Sequence, residues 1–161
     1  MGADISVENE REVGGEPVAD LRVRYAPLKG IDIPADQVPL AIDEFPALFI
    51  AAACAEGRTT LRGAEELRVK ESDRIAAMAE GLTTLGVVNE VLDDGIVIEG
   101  GTISGGVIHT YHDHRIAMSF AIAALCARDE ITVLDCDHVA TSFPGFDELA
   151  RGLGLRLASG V

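Results

Sequence analysis

A repeat of about 70 residues constrains the fold of this chain more than any other feature. Residues 43–56 read DEFPALFIAAACAE, and residues 113–126 read DHRIAMSFAIAALC. Each copy begins with Asp, continues into an Ala-rich apolar stretch and is followed by a short β-rich segment. Because apolar residues surround the whole helical wheel, we expect both stretches to be nearly fully buried helices. Pro46 is typical of a first helical turn, and Gly57 of the residue that stops a helix.

A second pair of segments follows the two buried helices at a similar spacing. SDRIAAMAEGLTTLG begins at Ser72, and SFPGFDELARGLG begins at Ser142. In each segment we expect Ser to be the N-cap of an amphipathic helix that ends near Gly. An interval of about 70 residues is longer than most solenoid repeats and suits a βαβαββ unit.

Alternating residues predict the strands between the helices. Residues 19–25 alternate apolar and charged side chains, which is typical of a half-buried strand. Residues 91–98 predict a hairpin with Asp-Gly in its turn, and Ile5 and Val7 predict a further short strand. The predicted fold class is therefore α/β (α+β), with repeated βαβαββ units.

The N-terminal residues indicate how the repeats divide the chain. Met1-Gly2-Ala3 parallels Leu85-Gly86-Val87 and Leu153-Gly154-Leu155, which we place at helix ends. We therefore expect the tail of one repeat in residues 1–40, a second repeat in 41–103 and a third in 104–161. On this interpretation the chain is a piece of a longer protein.

The charge of the chain excludes several classes of function. Thirteen Lys and Arg against 27 Asp and Glu give a net charge of −14, which disfavours binding to nucleic acid or to an anionic membrane. The longest apolar run is too short to span a bilayer. The cysteines, Cys54, Cys126 and Cys136, are odd in number and form no CxxC pair. We expect reduced core thiols in a cytoplasmic protein.

The densest group of charged residues is the segment LRVKESDR, residues 67–74. One interpretation is a solvated, self-compensating run of charges next to a Ser cap. The alternative is an anion site, since helix-start N–H groups and nearby Lys and Arg bind anions. Glu71, held among these cations, could then serve as an acid or a base.

Two further segments carry charged groups at the starts of the buried helices. Asp113 is expected to cap its helix, which leaves His114 and Arg115 in the first turn. A cation there costs about 0.3–1 kcal/mol against the helix dipole, which suggests a compensating anion. Metal binding is disfavoured, because i, i+2 spacing at a helix start is not a typical ligand pattern.

Asp43-Glu44 occupies the same place in its own repeat as Asp113-His114 does in the next. Acids before a helix start usually cap it, and that is one interpretation of this pair. The repeat geometry gives the other: these segments meet at one face, where converging helix starts form a shared anion-binding surface.

The chain resembles the C-terminal part of the EPSP synthase family, the 3-phosphoshikimate 1-carboxyvinyltransferases. The segments that match, in the order of the family, are AIDEFPALFIAAACAEG, LRVKESDRIAAMAEGL, DHRIAMSFAIAALC and ATSFPGFDEL. The resemblance covers essentially the whole chain. It implies a two-lobed fold in which each lobe has three βαβαββ units, with helices inside and sheets outside. It also implies that the N-terminal lobe is absent from this chain.

The resemblance implies a reaction and a set of roles. The family transfers the carboxyvinyl group of phosphoenolpyruvate to the 5-hydroxyl of shikimate 3-phosphate and releases phosphate, with no metal or organic cofactor. Asp43 resembles the acid that contacts the shikimate hydroxyls and acts as a base, and Lys70 the cation near the reacting hydroxyl. Glu71 resembles the proton donor to the methylene carbon of phosphoenolpyruvate. The groups that bind phosphoenolpyruvate are then Arg74, His114 and Arg115.

The resemblance has one departure and leaves alternatives open. Some family members carry Lys where this chain has Thr141, and if that Lys binds the phosphate of phosphoenolpyruvate, this chain lacks one cation. Together with the segments IDEF and KESD, Thr141 makes the chain resemble the class of the family known to tolerate glyphosate. The alternatives are a UDP-N-acetylglucosamine carboxyvinyltransferase, an RNA 3′-phosphate cyclase, and a non-catalytic anion-binding module. We expect the chain by itself to be inactive, and we expect apolar surface to be exposed where further repeats would pack.

Overall fold

The structure is a computed structural model and describes residues 1–158. The strands are β1 (Asp4–Val13), β2 (Glu16–Arg24), β3 (Arg58–Leu61), β4 (Asn89–Leu92), β5 (Gly95–Glu99), β6 (Gly106–His109) and β7 (Ile131–Leu134). The α-helices are α1 (Phe45–Ala53), α2 (Arg74–Thr84), α3 (His114–Ala123), α4 (Val139–Ser142) and α5 (Phe146–Gly152). None of the helices in the described part of the chain has the length and apolar character needed to cross a membrane.

Strands β1 and β2 form an antiparallel hairpin with an apolar side and a charged side. Ile5 pairs with Val23 and Val7 with Leu21, and these four side chains are all exposed. The prediction that residues 19–25 are half-buried is therefore wrong, because alternation describes a strand with two unlike faces but not whether another element covers one. Apolar surface is thus exposed on this hairpin, with Leu21 67% exposed, and the packing of further repeats against it stays a prediction.

The next part of the chain has the predicted βαβαββ order. An extended segment at residues 29–32 makes parallel bridges to residues 56–60, so α1 connects two parallel segments. After α2, strand β5 pairs antiparallel with β3, and β4 pairs antiparallel with β5, which gives the order β3-β5-β4. The β4–β5 hairpin is confirmed, although Asp93 and Asp94 are its turn residues and Gly95 already pairs with Leu92.

A shorter unit follows with the same start. Strands β6 and β7 pair in parallel, from Gly106 opposite Ile131 to His109 opposite Leu134, and α3 connects them. Helices α4 and α5 come next. The division of the chain into repeats at residues 40 and 103 stays a prediction. The bridges at residues 29–32 show that strand pairing with the second predicted repeat begins before residue 41.

Helices α1, α2 and α3 meet in one hydrophobic core. Phe45, Phe49, Met78 and Phe120 are all 1% exposed or less. Helices α2 and α3 approach closely at Gly81, where an added Cβ would overlap the Phe120 ring. The outer sides of α1 and α3 instead line a groove of about 400 Å³, so these helices are less completely buried than their composition predicts.

Three helix boundaries differ from the sequence prediction. Helix α2 is capped by Asp73, which accepts a hydrogen bond from the Ala76 N–H at 3.0 Å, and not by Ser72. Ser142 ends α4, and α5 begins only at Phe146 because the residue before Pro144 is driven out of helical conformation. Gly57 lies three residues beyond the cap of α1, with φ of 85° in the turn before β3.

The cysteines are also placed differently. Cys54, Cys126 and Cys136 are free thiols, but all three are exposed and none belongs to the core. Cys54 and Cys126 follow the ends of α1 and α3 and line the groove between these helices. Although the residue is exposed, partial burial of its thiol raises the pKa of Cys54 to about 12, with a further contribution from the neighbouring Cys126.

Candidate functional site

Arg74, the first residue of α2, lies at the centre of the charged residues that the sequence singles out. Its side chain is 1% exposed and meets three carboxylates. Nε donates to Asp113 Oδ2 at 2.8 Å, Nη1 to Asp43 Oδ1 at 3.0 Å, and Nη2 to Glu71 Oε2 at 2.6 Å. These acids come from three separate segments, so Arg74 joins the starts of all three core helices.

Asp113 and Arg74 form a buried ion pair in which each residue stabilises the charged form of the other. Burial alone lowers the pKa of Arg74, but Asp113, Glu71 and Asp43 outweigh it and raise this pKa above its usual value. Burial alone raises the pKa of Asp113. Hydrogen bonds from Arg74, the Arg115 N–H and Ser72, together with the Arg74 charge, outweigh burial and hold the pKa of Asp113 below its usual value.

Asp113 is the N-cap of α3, as predicted, and it is also fully buried. Its Oδ1 accepts from the backbone N–H of Arg115 at 2.9 Å and of Ile116 at 3.4 Å. Its Oδ2 accepts from Arg74 and, at 3.1 Å, from the Ser72 hydroxyl. The two oxygens therefore serve different helices.

Asp43 does not cap α1, and neither does Glu44, whose side chain makes no capping hydrogen bond. Asp43 lies in the 3₁₀ turn Pro39–Glu44 and points to the cations instead. Burial raises the pKa of its carboxyl, but the charges of Lys70 and Arg115 and the hydrogen bond from Arg74 outweigh this and lower it. The alternative of a shared surface at the helix starts therefore describes Asp43 better than the capping interpretation.

Lys70 and Arg115 complete the cluster from opposite sides. Lys70 Nζ lies 2.5 Å from Glu66 Oε1 and 3.5 Å from Asp43 Oδ1, and the Glu66 hydrogen bond is the main cause that raises its pKa. Arg115 Nη1 donates to the Asp43 carbonyl at 2.8 Å and lies 3.1 Å from Glu44 Oε1. Asp43 thus lies between the two cations.

The last two predicted residues lie at the edge of the cluster. Glu71 has a half-exposed side chain and lines a depression of about 410 Å³ with Ser72, Glu80 and Tyr111. His114 is half-buried in the first turn of α3, beside Arg115. The structure brings Asp43, Lys70, Glu71, Arg74 and Arg115 into one network and places His114 next to it.

Two features of this site were not predicted from the sequence. One is that the Asp113 carboxylate binds a charged side chain 39 residues away, for which local sequence carries no signal. The other is backbone strain: Tyr111 and His112, immediately before Asp113, both have left-handed φ values of 54° and 61°. Such conformations are costly for residues with a side chain and concentrate at functional sites.

The arrangement suits the binding of a small anion next to an acid. Two arginines and a lysine lie within one network, and a carboxylic acid, Glu71, stands at its open edge. Carboxylates neutralise each cation here, so an incoming anion has to replace the exposed ones. Within residues 1–158, no three His, Cys, Asp or Glu side chains are placed to hold a metal ion.

Comparisons with known proteins agree on one family. The family model described as EPSP synthase (3-phosphoshikimate 1-carboxyvinyltransferase) matches residues 1–149. Relatives named 3-phosphoshikimate 1-carboxyvinyltransferase are 67% identical over 161 residues in Alkalilimnicola ehrlichii and 68% identical over 155 residues in Methylococcus capsulatus. These alignments cover 99% and 96% of this chain but 36% of each relative.

The fold comparison gives the same result. The structure of EPSP synthase from Acinetobacter baumannii superposes with a TM-score of 0.94 at 58% sequence identity. It covers 96% of this chain and 37% of that one. The predicted fold class is therefore confirmed, and the chain spans little more than a third of the length of the relatives that it matches.

Proposed function

Because the chain belongs to the EPSP synthase family, we propose that it forms part of a 3-phosphoshikimate 1-carboxyvinyltransferase. The proposed reaction joins the 5-hydroxyl oxygen of shikimate 3-phosphate to C2 of phosphoenolpyruvate while a proton adds to C3, and then eliminates phosphate from C2 together with a proton from C3. The observation that carries the proposal is the Arg74 network, which assembles Asp43, Glu71 and Asp113 around one buried cation. The names of the relatives favour this function over the UDP-N-acetylglucosamine and RNA alternatives.

In the addition step, C3 of phosphoenolpyruvate gains a proton and C2 accepts the sugar oxygen. Glu71 is the proposed proton donor, because its carboxyl is half-exposed at the mouth of a depression, where Arg74 holds it at 2.6 Å. The proton that it donates is taken up from water when substrate replaces it at Arg74. Asp43 is the proposed base for the hydroxyl. Its lowered pKa keeps it ionised at neutral pH, as the acceptor of a proton must be.

The cations bind and orient the anionic substrates in this proposal. Arg74 and Arg115 bind the carboxylate and phosphate of phosphoenolpyruvate, for which the planar guanidinium fork is well suited. His114 lies beside Arg115 at the same helix start. Lys70 remains protonated because Glu66 and Asp43 raise its pKa, so it acts as a fixed positive charge near the hydroxyl.

When substrate binds to Arg74, it must replace the exposed carboxylates that contact this arginine. The side chains of Asp43 and Glu71 are 46% and 52% exposed, whereas that of Asp113 is fully buried. A substrate carboxylate at the Nη edge of Arg74 would replace Glu71 and leave it as a neighbouring acid. Binding and proton donation would then be coupled at one arginine.

The rest of the protein is the proposed partner of this chain. The relatives are almost three times as long, and we propose that the remainder supplies a second lobe that closes over both substrates. Orientation of two reactants contributes about 7–11 kcal/mol to catalysis, and this requires the complete site. We therefore expect the chain alone to bind anions weakly and to turn nothing over.

A hybrid enzyme tests the proposal. This chain replaces the matching segment of the M. capsulatus relative, and phosphate release is measured with shikimate 3-phosphate and phosphoenolpyruvate. We expect release that needs both substrates, and a loss of at least about 100-fold in Glu71→Gln, within the range of general acid catalysis. Glu90→Gln, on exposed strand β4, is the matched control and should keep full activity. A folded hybrid that releases no phosphate would contradict the proposed function.

A further inference from the structure

We propose that Asp113 is a positioning residue for the proposed reaction, because its one buried carboxylate fixes both arginines of the anion site. Oδ2 holds the Nε edge of Arg74 at 2.8 Å. Oδ1 holds the backbone N–H of Arg115 at 2.9 Å. The spacing between the starts of α2 and α3 is thereby set through a single side chain.

Burial separates Asp113 from the other two partners of Arg74. Asp43 and Glu71 are about half exposed, so a substrate anion can replace them at Nη1 and Nη2. Asp113 is fully buried and meets the opposite, Nε, edge of the guanidinium. Its hydrogen bond therefore persists when the Nη edge turns to a ligand, and it determines the direction in which that edge faces.

Every polar contact of Asp113 points to this role. The carboxylate accepts from Arg74, from the Ser72 hydroxyl and from two backbone N–H groups of α3. An ordinary N-cap needs only the backbone contacts. The extra two come from Ser72 and Arg74, in the segment that directly follows the proposed proton donor, Glu71. Asp113 thus connects the start of α2 to the start of α3 from the buried side of the site.

Asp113→Asn separates positioning from capping. Asn caps a helix about as well as Asp does, but it offers one oxygen and no charge to hold Arg74. In the hybrid enzyme we expect kcat/KM for phosphoenolpyruvate to fall about 100-fold, the cost of a misplacement of about 1 Å. The KM for phosphoenolpyruvate should rise more than that for shikimate 3-phosphate. Asp94→Asn is the matched control, because Asp94 also accepts from an arginine and a backbone N–H.

A second measurement uses this chain itself and does not depend on activity. The N–Hε signal of Arg74, assigned by its absence in Arg74→Lys, should exchange slowly with water in the parent chain. In Asp113→Asn we expect exchange at least tenfold faster, while the backbone amides of α1 keep their protection. The kinetic test rests on the proposed function. The exchange measurement does not, so it distinguishes a failure of the proposed function from a failure of the positioning role of Asp113. An inactive hybrid with slow N–Hε exchange contradicts the function and not the role of Asp113.

The outcomes are distinct. Faster N–Hε exchange with a raised KM for phosphoenolpyruvate supports the positioning role. Unchanged exchange, or a lower kcat with both KM values unchanged, overturns it, since loss of folded enzyme lowers kcat alone. Should Asp113→Asn fail to fold, Ser72→Ala removes one donor to the same carboxylate at 3.1 Å. This variant should raise the KM for phosphoenolpyruvate severalfold, and an unchanged KM would overturn the proposal.

Discussion

Replacing Arg74 by Met should reveal how strongly the fold depends on the buried cation. The change leaves Asp113 fully buried with its charge unpaired, whereas Asp43 and Glu71 can turn to solvent. Removing one partner of a buried ion pair costs about 3–5 kcal/mol, and the two half-exposed pairs add little to this. We therefore expect Arg74→Met to lower the free energy of unfolding by about 3–5 kcal/mol at pH 7.

The loss should depend on pH in a direction that the structure fixes. In the parent chain the pKa of Asp113 is lowered, so its contribution to stability is present above the unfolded pKa of about 3.9 and is lost as pH falls through the folded pKa. Without Arg74, burial becomes the main influence and raises the pKa of Asp113. Protonation then removes the unpaired charge, and the difference between variant and parent should shrink as pH falls towards 4.

Urea denaturation followed by far-ultraviolet circular dichroism measures this difference, since the chain has no Trp. Arg58→Met is the control, because Arg58 pairs with Glu99 on the surface and should cause little change. The double variant Arg74→Met, Asp113→Asn should recover part of the loss. A pH-independent loss, or a double variant no more stable than Arg74→Met, would show that the Asp113 charge is not what destabilises the variant.

Three further predictions concern other parts of the molecule. Gly81→Ala should destabilise the chain by about 1–3 kcal/mol through overpacking against Phe120, although Ala has the better helix propensity. Thermal unfolding measures this loss, and an unchanged midpoint would mean that α2 and α3 are further apart. Cys54 should react slowly with iodoacetamide at pH 8 although it is exposed, because its pKa is raised to about 12, and mass spectrometry of the alkylated chain measures the rate; rapid alkylation would contradict this. Thr141→Lys should lower the KM of the hybrid for phosphoenolpyruvate if the missing cation matters, and an equal KM would show that it does not.

The sequence predicted the features that depend on local pattern. The Ala-rich repeats predicted α1 and α3, and the residues around the turn predicted the β4–β5 hairpin. Asp113 was correctly expected to cap its helix, because a short polar side chain before an apolar periodic run is a local signal. The segments at Asp43 and Asp113 were expected, as one of two interpretations, to meet at one face, because they hold the same place in successive repeats.

The errors arose where tertiary contacts override local preference. Ser72 is a good N-cap by type, but its hydroxyl binds Asp113 and the neighbouring Asp73 takes the cap. The alternation in β2 is real, yet no burial follows from it. The Arg74–Asp113 pair joins residues 39 positions apart, so only the folded chain could show it.

Deuterium incorporation shows whether Glu71, as placed by the Arg74 network, donates the proton to phosphoenolpyruvate. The hybrid enzyme is incubated with both substrates in heavy water, and unreacted phosphoenolpyruvate and product are analysed by mass spectrometry and NMR. We expect deuterium at C3 in the parent hybrid, and we expect both deuterium incorporation and phosphate release to be lost in Glu71→Gln. Deuterium incorporation that persists at the parent rate in Glu71→Gln would contradict it.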